Sequence, residues 1–253
     1  VREALRLMEI DFPIEVTTFA DIPAGTGLGS SSSFAVGLMH ALYALKGQYV
    51  TKYTLAESAA QIEINILKRT MGKQDHYAAS YGNLNIFTFQ PDESVVVEPV
   101  FYQMEVKNTL DDNLMLFYTK LKRDASEVLK IQNRAISKKR KVLQKMRDLV
   151  HPLKDVLSGK NNVNVFGEIL HKNWMLKRSI TDQVASAKID FYYDKAIAAG
   201  AIGGKLLGAG GGGFLLFYVE KKNQNSVREV LSELYELKFE IDTGGTRITY
   251  YDQ

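Results

Sequence analysis

The stretch that is most informative about the fold of this chain is Pro23-Ala24-Gly25-Thr26-Gly27-Leu28-Gly29-Ser30-Ser31-Ser32-Ser33. The alternating, β-branched residues 14–19 before it predict a strand. The nearly all-apolar residues 34–45 after it predict a buried helix that Gly47 ends. Strand, glycine-rich loop and helix in this order predict an anion site, because the first turn of a helix has unpaired N–H groups and a dipole that favours negative charge.

The loop fits the two commonest phosphate-binding patterns poorly. Its glycines permit positive φ and close approach to a phosphate, and its serines add hydroxyl donors, one of which can also bind Mg²⁺. A P-loop requires a lysine before its Ser or Thr, and this loop has no lysine. A dinucleotide loop requires a third glycine, but Ser30 stands at that position. It also requires an acidic residue after the next strand, and the sequence has none there. A tight turn with a serine N-cap is the structural alternative.

The composition is that of an ordinary globular protein. The chain has 253 residues, 45% apolar and 24% charged, which suits one large domain or two packed ones. It has no cysteine, which excludes disulfides and thiolate metal sites and favours a cytoplasmic protein. A net charge of +3 gives no indication of a nucleic acid partner. We find no apolar run long enough for a membrane span and no signal peptide, and therefore expect no membrane partner.

The rest of the chain mixes strands with blocks of helix. Thr54 is predicted to cap a helix that runs to about residue 68, with Glu57 at capping-box spacing, and a shorter helix ends at Tyr81. Further helices are predicted at 124–148, 163–180, 189–199 and 225–237, and strands at 84–89, 95–101, 113–119, 202–207, 214–219 and 246–251. A second glycine loop occupies 208–213. This pattern predicts an α+β protein with a domain boundary near 103–113.

The two glycine loops together resemble the signature motifs of the GHMP kinase family. The first matches its Pro-x-x-x-Gly-Leu-Gly-Ser-Ser motif with one extra residue, and Gly208–Gly213 match its C-terminal Gly-Ala-Gly-Gly-Gly-Gly motif. The resemblance implies a two-domain fold. Residues 1–107 would form an ATP-binding domain like domain 2 of ribosomal protein S5, and residues 108–253 a ferredoxin-like α/β domain. It also implies that a segment contributing to the substrate pocket is missing ahead of Val1.

Within the family, the chain resembles kinases of D-glycero-D-manno-heptose 7-phosphate most. The phrases that suggest this are 72–79, 117–119, 125–129 and 203–208. The resemblance implies transfer of a phosphoryl group from ATP, with Mg²⁺, to the C1 hydroxyl of a small-molecule sugar phosphate, for nucleotide-activated heptose and surface glycans. A homo-oligomer is possible. Galactose, fucose and mevalonate-type substrates remain as alternatives, as does a non-catalytic sugar- or nucleotide-binding regulator.

The resemblance also implies roles for individual residues. Those expected to bind ATP are Pro23, Ala24, Gly25, Gly27, Leu28, Gly29, Ser30, Ser31 and Ser32. Ser31 and Glu63 are expected to bind Mg²⁺, with Glu57 as a substitute for Glu63. The alternative for Glu63 is an exposed carboxylate or an ion pair.

Asp75 is the expected catalytic residue, which would accept or polarise the proton of the sugar hydroxyl. Its alternative role is to cap a helix that starts at Tyr77. Lys73 is expected to neutralise phosphate or to pair with Asp75, unless it is a surface lysine. His76 is expected to contact the sugar or to pack, and Gly210, Gly211 and Gly212 to support the first loop and approach the substrate. His40, His151, His171 and Trp174 are expected in packing or surface roles.

Overall fold

The computed structural model of this chain describes residues 1–121, 125–181 and 184–252. The helices are α1 (Arg2–Leu7), α2 (Ser30–Leu45), α3 (Lys52–Ala60), α4 (Gln74–Tyr81), α5 (Met104–Asn113), α6 (Ala125–Arg147), α7 (Val150–Leu157), α8 (Val165–Arg178), α9 (Ala187–Ala198) and α10 (Gln224–Val230). A π-helix covers Gln61–Ile66 and a 3₁₀ turn covers Lys221–Asn223. The strands are β1 (Asn85–Phe89), β2 (Val95–Pro99), β3 (Leu114–Tyr118), β4 (Gly203–Leu206), β5 (Phe214–Tyr218) and β6 (Tyr235–Leu237).

The chain forms two compact units that are interleaved along the sequence. Unit 1 contains residues 1–24, 29–99 and 242–253, and unit 2 contains residues 25–28 and 100–241. The predicted domain boundary between residues 107 and 108 stays a prediction. In the described part of the chain, no helix combines the length and apolar character that a membrane span requires.

Unit 1 is built around α2. The helix buries Val36, Met39 and Leu42 against α1 and α3, which confirms the buried helix predicted from its apolar sequence. Its end is also confirmed, because Gly47 has a φ of 64° and donates to the Ala44 carbonyl while the next amide reaches back to residue 43. The antiparallel pair β1–β2 completes the unit.

Three predictions in unit 1 are wrong. Residues 14–19 and 246–251 form no strand, and Phe19 is 94% exposed. An alternating sequence determines which side chains would share one face of a strand, but it does not provide a second strand to pair with. Thr54 is not the N-cap of α3: the extended Thr51 holds that position, and its hydroxyl accepts a hydrogen bond from the Thr54 amide at 3.1 Å.

The predicted long helix after Thr54 changes its winding before it ends. It is α-helical to Ala60 and then a π-helix over Gln61–Ile66, in which the Leu67 amide bonds to the Ile62 carbonyl five residues back. π-Helices of this kind are rare and are frequent at functional sites. This one carries Glu63 into the interior of unit 1, where it is 3% exposed.

Unit 2 contains a four-stranded antiparallel sheet with the strand order β4-β5-β3-β6. In the described residues, the four helices α6 to α9 separate β3 from β4, and α10 separates β5 from β6. This β-α-β-β-α-β order is the ferredoxin-like pattern, which confirms the predicted fold of this part. Trp174, Tyr193 and Phe217 pack in its core, so the packing role predicted for the tryptophan is confirmed.

The elements of unit 2 differ from prediction at three places. Helices α5 and α7 were not predicted, because their sequences are polar or short. The helix predicted at 225–237 ends at Val230, and Tyr235–Leu237 pairs with β3 instead, so the last part of that prediction is wrong. The predicted start of the long helix at residue 124 lies outside the described residues, and the helix is confirmed over Ala125–Arg147.

Candidate active site

The N-terminus of α2 is open to a ligand. Gly29 is its N-cap, in the left-handed region with a φ of 70°, and has no side chain with which to cap the helix. The Ser33 amide bonds to the Gly29 carbonyl, while the three preceding amides belong to the unpaired first turn. The serine N-cap considered from the sequence is therefore wrong, and the helix start has the form of an anion site.

A buried carboxylate lies beneath this first turn. The Ser31 hydroxyl makes a short hydrogen bond to Glu63 Oε1, and the Ser32 hydroxyl donates to Oε2 at 3.2 Å. His76 Nε2 lies 2.9 Å from Oε2, and Arg69 Nη1 donates to Oε1 at 2.5 Å and to the Ser31 hydroxyl at 2.8 Å. The structure thus brings together the two residues predicted to bind the metal ion.

The surroundings of Glu63 keep its carboxylate ionised. Burial raises the pKa of Glu63, but hydrogen bonds from His76 and Ser31, with the charges of His76 and Arg69, outweigh burial and hold the pKa at about 2. The alternative of an exposed helix carboxylate is wrong, whereas the alternative of an ion pair is part of the arrangement.

Asp75 lies beside the cap of α2. A Cβ atom placed on Gly29 would be 3.4 Å from the Asp75 carboxyl group, so this side chain lies within van der Waals distance of the cap position. The Asp75 side chain is in contact with solvent, yet partial burial raises its pKa, with Glu63 adding to the increase and His76 opposing it. Helix α4 begins at Gln74, so Asp75 is in its first turn and does not cap a helix starting at Tyr77.

The other residues near Asp75 have partners of their own. Lys73 Nζ donates to Glu57 at 3.0 Å, so its predicted pairing with Asp75 is wrong, and its catalytic role stays a prediction. The same Glu57 carboxylate accepts a hydrogen bond from the Tyr77 hydroxyl. Glu57, the residue proposed as a substitute for Glu63 in metal binding, therefore already has two partners. His76 is fully buried on Glu63, and Nδ1 has no hydrogen-bond partner among the described residues. A contact between His76 and the sugar stays a prediction.

The middle of the first loop packs against the second glycine loop inside unit 2. Gly27 has a φ of 82°. A Cβ atom on Gly208 would lie 2.6 Å from the Cα atom of Gly27. A Cβ atom on Gly213 would lie 2.2 Å from the carbonyl oxygen of Thr26, which is itself buried. Gly208 and Gly213 are required because two stretches of backbone touch here.

The three glycines predicted to support the first loop contact other segments. A Cβ atom on Gly210 would meet the backbone of Val184, and one on Gly212 would lie 2.4 Å from the Leu121 carbonyl oxygen. The Gly211 amide donates to the Val184 carbonyl at 2.9 Å. Direct support of the first loop therefore comes from Gly208 and Gly213, and approach of Gly210, Gly211 and Gly212 to a substrate stays a prediction.

The residues predicted to contact ATP divide between the two units. Pro23, Ala24, Gly29, Ser30, Ser31 and Ser32 belong to unit 1, and Gly25, Gly27 and Leu28 belong to unit 2. The Ser32 side chain is buried and its hydroxyl is bonded to Glu63, so this hydroxyl has a structural partner already. Their contacts with ATP stay predictions.

Sequence reasoning missed Arg69, the only lysine or arginine that forms a salt bridge with Glu63 in the described part of the chain. The sequence feature that could have indicated this contact is a basic residue six positions after Glu63, the predicted metal ligand. His40 and His171, expected to lack functional partners, bond through Nδ1 to the hydroxyl groups of Thr246 and Tyr193.

The oxygen atoms around Glu63 suit a magnesium ion. Mg²⁺ prefers carboxylate and hydroxyl oxygens and is usually held by one or two carboxylates together with substrate phosphates. Glu63 and Ser31 supply such oxygens at the open end of α2. No group of three or more His, Asp or Glu side chains suited to a metal occurs among the described residues.

Comparison with known families agrees with the fold and the two loops. A model of the N-terminal domain of GHMP kinases matches residues 1–83, and a model of their C-terminal region matches residues 153–237. The two models follow each other in the family's order and each contains one of the glycine loops. This chain belongs to the GHMP kinase family.

Its relatives include several sugar kinases. The D-glycero-alpha-D-manno-heptose 7-phosphate kinase of Campylobacter jejuni subsp. jejuni serotype O:2 is 29% identical over 223 residues, which are 85% of this chain and 64% of the relative. The galactokinase of Pyrococcus furiosus is 26% identical over 248 residues, 87% of this chain and 68% of the relative. This chain therefore spans about two thirds of their length, and in the first case less.

A solved structure is similar over almost the whole chain. The D-glycero-D-manno-heptose 1-phosphate kinase of Bacteroides thetaiotaomicron superposes with a TM-score of 0.69 at 26% identity, covering 99% of this chain and 72% of that protein. The names of the two heptose kinases differ in the position of the sugar phosphate.

Proposed function

We propose that this chain is part of an ATP-dependent kinase that phosphorylates the C1 hydroxyl of D-glycero-D-manno-heptose 7-phosphate. The product would be the 1,7-bisphosphate, a precursor of nucleotide-activated heptose for surface glycans. Similarity to heptose phosphate kinases over most of the chain supports the substrate class. A cytoplasmic location and a small-molecule sugar phosphate as partner belong to the same proposal.

One observation carries the activity: an ionised, buried carboxylate and a partly desolvated aspartate lie at the open end of one helix. Glu63 is bonded to Ser31 in the first turn of α2, and Asp75 lies against the N-cap Gly29. Phosphoryl transfer requires bound phosphates, neutralised charge and an oriented nucleophile. These three requirements correspond to the first turn of α2, to the Ser31–Glu63 pair, and to Asp75.

The residues divide the reaction between them. The first-turn amides of α2 hold phosphate oxygens of ATP, because unpaired N–H groups and the helix dipole favour negative charge at that position. Asp75 accepts a hydrogen bond from the C1 hydroxyl and takes its proton as the oxygen attacks the γ-phosphorus and the bond to the ADP oxygen breaks. A raised pKa makes Asp75 a stronger base than an ordinary aspartate. Mg²⁺, when bound with ATP by Ser31 and Glu63, would supply charge neutralisation.

Arg69 holds the Ser31–Glu63 pair in the absence of a ligand. Its guanidinium contacts both the Ser31 hydroxyl and Glu63 Oε1. About half of the Arg69 side chain is exposed, so it can turn away into solvent when another cation takes those oxygens.

A panel of acceptors tests the proposed substrate. Heptose 7-phosphate, heptose 1-phosphate, sedoheptulose 7-phosphate, galactose, fucose and mevalonate would each be incubated with the full-length protein, ATP and Mg²⁺, and ADP release would be measured. The proposal expects the highest kcat/KM with heptose 7-phosphate. Comparable rates on unphosphorylated galactose would reject it.

A galactokinase-like activity is the second candidate. The Pyrococcus furiosus galactokinase aligns with this chain over a similar span and at nearly the same identity as the heptose kinase. The same panel separates the two, because this candidate expects turnover of a sugar that carries no phosphate. A non-catalytic regulator would bind ATP and turn over no acceptor.

A further inference from the structure

Helix α8 lies directly against strand β4 in unit 2. A Cβ atom on Gly203 would be 2.0 Å from the Gly167 carbonyl oxygen, and one on Gly167 would be 2.9 Å from the Ile202 side chain. Only glycines permit backbones to approach this closely. The side chains that border this contact are therefore held close to one another.

Further along the same two elements, three nitrogen-bearing side chains lie near one another, and we call them the Lys177–Lys205 cluster: Asn173, Lys177 and Lys205. Asn173 and Lys177 are four residues apart and share one face of α8. Lys205 extends from β4 and donates to Asn173 Oδ1 at 3.3 Å, while Lys177 donates to the Gly208 carbonyl at 2.5 Å. Each ammonium has three N–H groups, so most of the donors in the cluster remain available.

The cluster has no balancing carboxylate. In the described part of the chain, neither lysine makes a salt bridge with an acidic side chain. Burial lowers the pKa of both lysines, and the charge of Lys205 adds to the effect on Lys177, whose pKa is about 7. Two half-buried, mutually repelling ammonium groups are unfavourable for folding, which suggests that they are kept for a ligand that supplies negative charge.

We propose that Lys177, Lys205 and the Asn173 amide bind the phosphate group that the sugar substrate already carries. This inference rests on the proposed function and names the part of the site that would select a phosphorylated sugar. A phosphate monoester has two negative charges and three acceptor oxygens, which match two ammonium groups and an amide. The phosphates of ATP are assigned to the first-turn amides of α2, which leaves these three side chains for the phosphate of the second substrate.

The geometry also connects the cluster to the second glycine loop. Lys177 is anchored on the carbonyl of Gly208, and Gly208 packs on Gly27 of the first loop within unit 2. A ligand phosphate held by Lys177 would therefore lie within reach of the glycine loops rather than at a remote surface.

Lys177→Met and Lys205→Met in the full-length protein test the inference. Methionine keeps the aliphatic stem and removes the charge, and Lys172→Met on the exposed part of α8 is the matched control. We expect KM for heptose 7-phosphate to rise about tenfold or more in each variant, because a charged hydrogen bond is lost. KM for ATP is expected to stay within about twofold, because the nucleotide phosphates are assigned to backbone amides and not to these three side chains.

A binding measurement separates ligand recognition from folding. Heptose 7-phosphate without ATP is expected to raise the melting temperature of the wild-type protein and of Lys172→Met, and to raise it much less in the two test variants. The unliganded test variants are expected to melt at the same or a higher temperature, because an unfavourable charge has been removed.

Two results would overturn the inference while leaving the proposed function intact. One is normal turnover with an unchanged KM for heptose 7-phosphate in both variants. The other is a rise in KM for ATP alone, which would assign the cluster to the nucleotide. A wild-type protein that neither binds nor phosphorylates any sugar phosphate would contradict the proposed function itself.

Discussion

At the scale of single residues, Glu63 is a buried ionisable group with four side-chain partners. Its two carboxylate oxygens accept hydrogen bonds from Ser31, Ser32 and Arg69 and contact His76. A buried carboxylate without such partners would become protonated, because desolvation penalises its charged form. Its partners therefore determine whether this position can attract a cation.

The acid stability of the metal-free protein should depend on Glu63. Its folded pKa of about 2 lies below the ordinary value of 4.5, so the ionised carboxylate stabilises the fold above pH 4.5. This contribution, about 3 kcal/mol when fully present, is lost as the pH falls from about 4.5 towards about 2. We expect the free energy of unfolding of Glu63→Gln, measured with denaturant, to change less than that of wild type across this range.

The control for this prediction is Glu105→Gln, which changes an exposed glutamate on α5. It should follow the wild-type pH dependence. Parallel wild-type and Glu63→Gln curves between pH 5 and about pH 2 would contradict the linkage between the buried carboxylate and stability.

Asp75→Asn should separate binding from chemistry. The amide keeps the shape of the carboxyl group but cannot accept the proton of the sugar hydroxyl. We expect turnover to fall at least about 100-fold while the Kd for ATP stays close to wild type. Calorimetric titration with ATP and a coupled assay of ADP would measure the two quantities.

Gln74→Ala, at the preceding exposed position of α4, is the control for Asp75→Asn and should retain most of the activity. Near-normal turnover in Asp75→Asn would end the assignment of Asp75 as the catalytic base. Loss of ATP binding together with activity would point to a role in the fold of the loop instead.

At the scale of elements, sequence patterns predicted what depends on neighbouring residues along the chain. The apolar run of α2, the αL glycine that ends it and the continuous apolar runs of β3 and β5 all have local causes. The strand β6 was missed because it exists only through its pairing with β3, and 14–19 was overpredicted because alternation does not supply a partner.

The same limit explains which parts of the site were missed. Six residues along an α-helix place two side chains about 240° apart around the axis, so Arg69 was not expected to meet Glu63. The π-helix changes this, because the Arg69 amide reaches back to the Glu63 carbonyl at 2.9 Å and returns the chain over the carboxylate. Ser31, Glu63 and Asp75 were predicted as site residues because they occur within or near motifs that resemble the family, and their roles stay predictions.

The contact between the two glycine loops should tolerate no side chain. In Gly208→Ala, the new Cβ atom would lie 2.6 Å from Gly27 Cα, at a φ of 68° that alanine rarely adopts. We expect a loss of about 1–3 kcal/mol in the free energy of unfolding and weaker ATP binding, because the first loop must move. Urea denaturation and ATP titration would measure both effects.

Gly37→Ala is the matched control for Gly208→Ala. Position 37 is in the middle of α2, and a Cβ atom there has no neighbour within 4 Å. The alanine should stabilise the protein by about 0.5–1 kcal/mol by favouring the helix. If Gly208→Ala were equally harmless, the second loop would have no role in holding the first.

At the scale of the whole molecule, the two units share one chain in an interleaved order. Residues 25–28 belong to unit 2, while the residues on either side of them belong to unit 1. Residues 242–253 also return to unit 1, where Gly245 packs on Gly82 and the Thr246 amide bonds to the Ala79 carbonyl at 3.0 Å.

This interleaving predicts a single cooperative unfolding transition. If unit 2 unfolds, residues 25–28 lose their contacts, although they lie between two segments of unit 1. If unit 1 unfolds, residues 242–253 lose theirs, although they continue directly from unit 2. Trp174 is the one tryptophan of the sequence and reports on unit 2 through its fluorescence. A dye on Tyr49→Cys, an exposed position in a cysteine-free chain, reports on unit 1.

We expect the two probes to give the same melting temperature within experimental error. An unlabelled protein, followed by far-UV circular dichroism, controls for effects of the dye. Two separate midpoints would contradict the prediction and would mean that the shared segments do not couple the units.

The return of residues 242–253 to unit 1 has a consequence for the order in which the protein is made. Domains usually fold from the N-terminus during synthesis. Here the block 100–241 leaves the ribosome complete, except for residues 25–28 that have already emerged, whereas unit 1 still lacks its final segment. On the ribosome, the later-encoded unit can therefore reach its native state first, and the nascent unit 1, with the uncapped N-terminus of α2, is the one exposed to chaperones for longest.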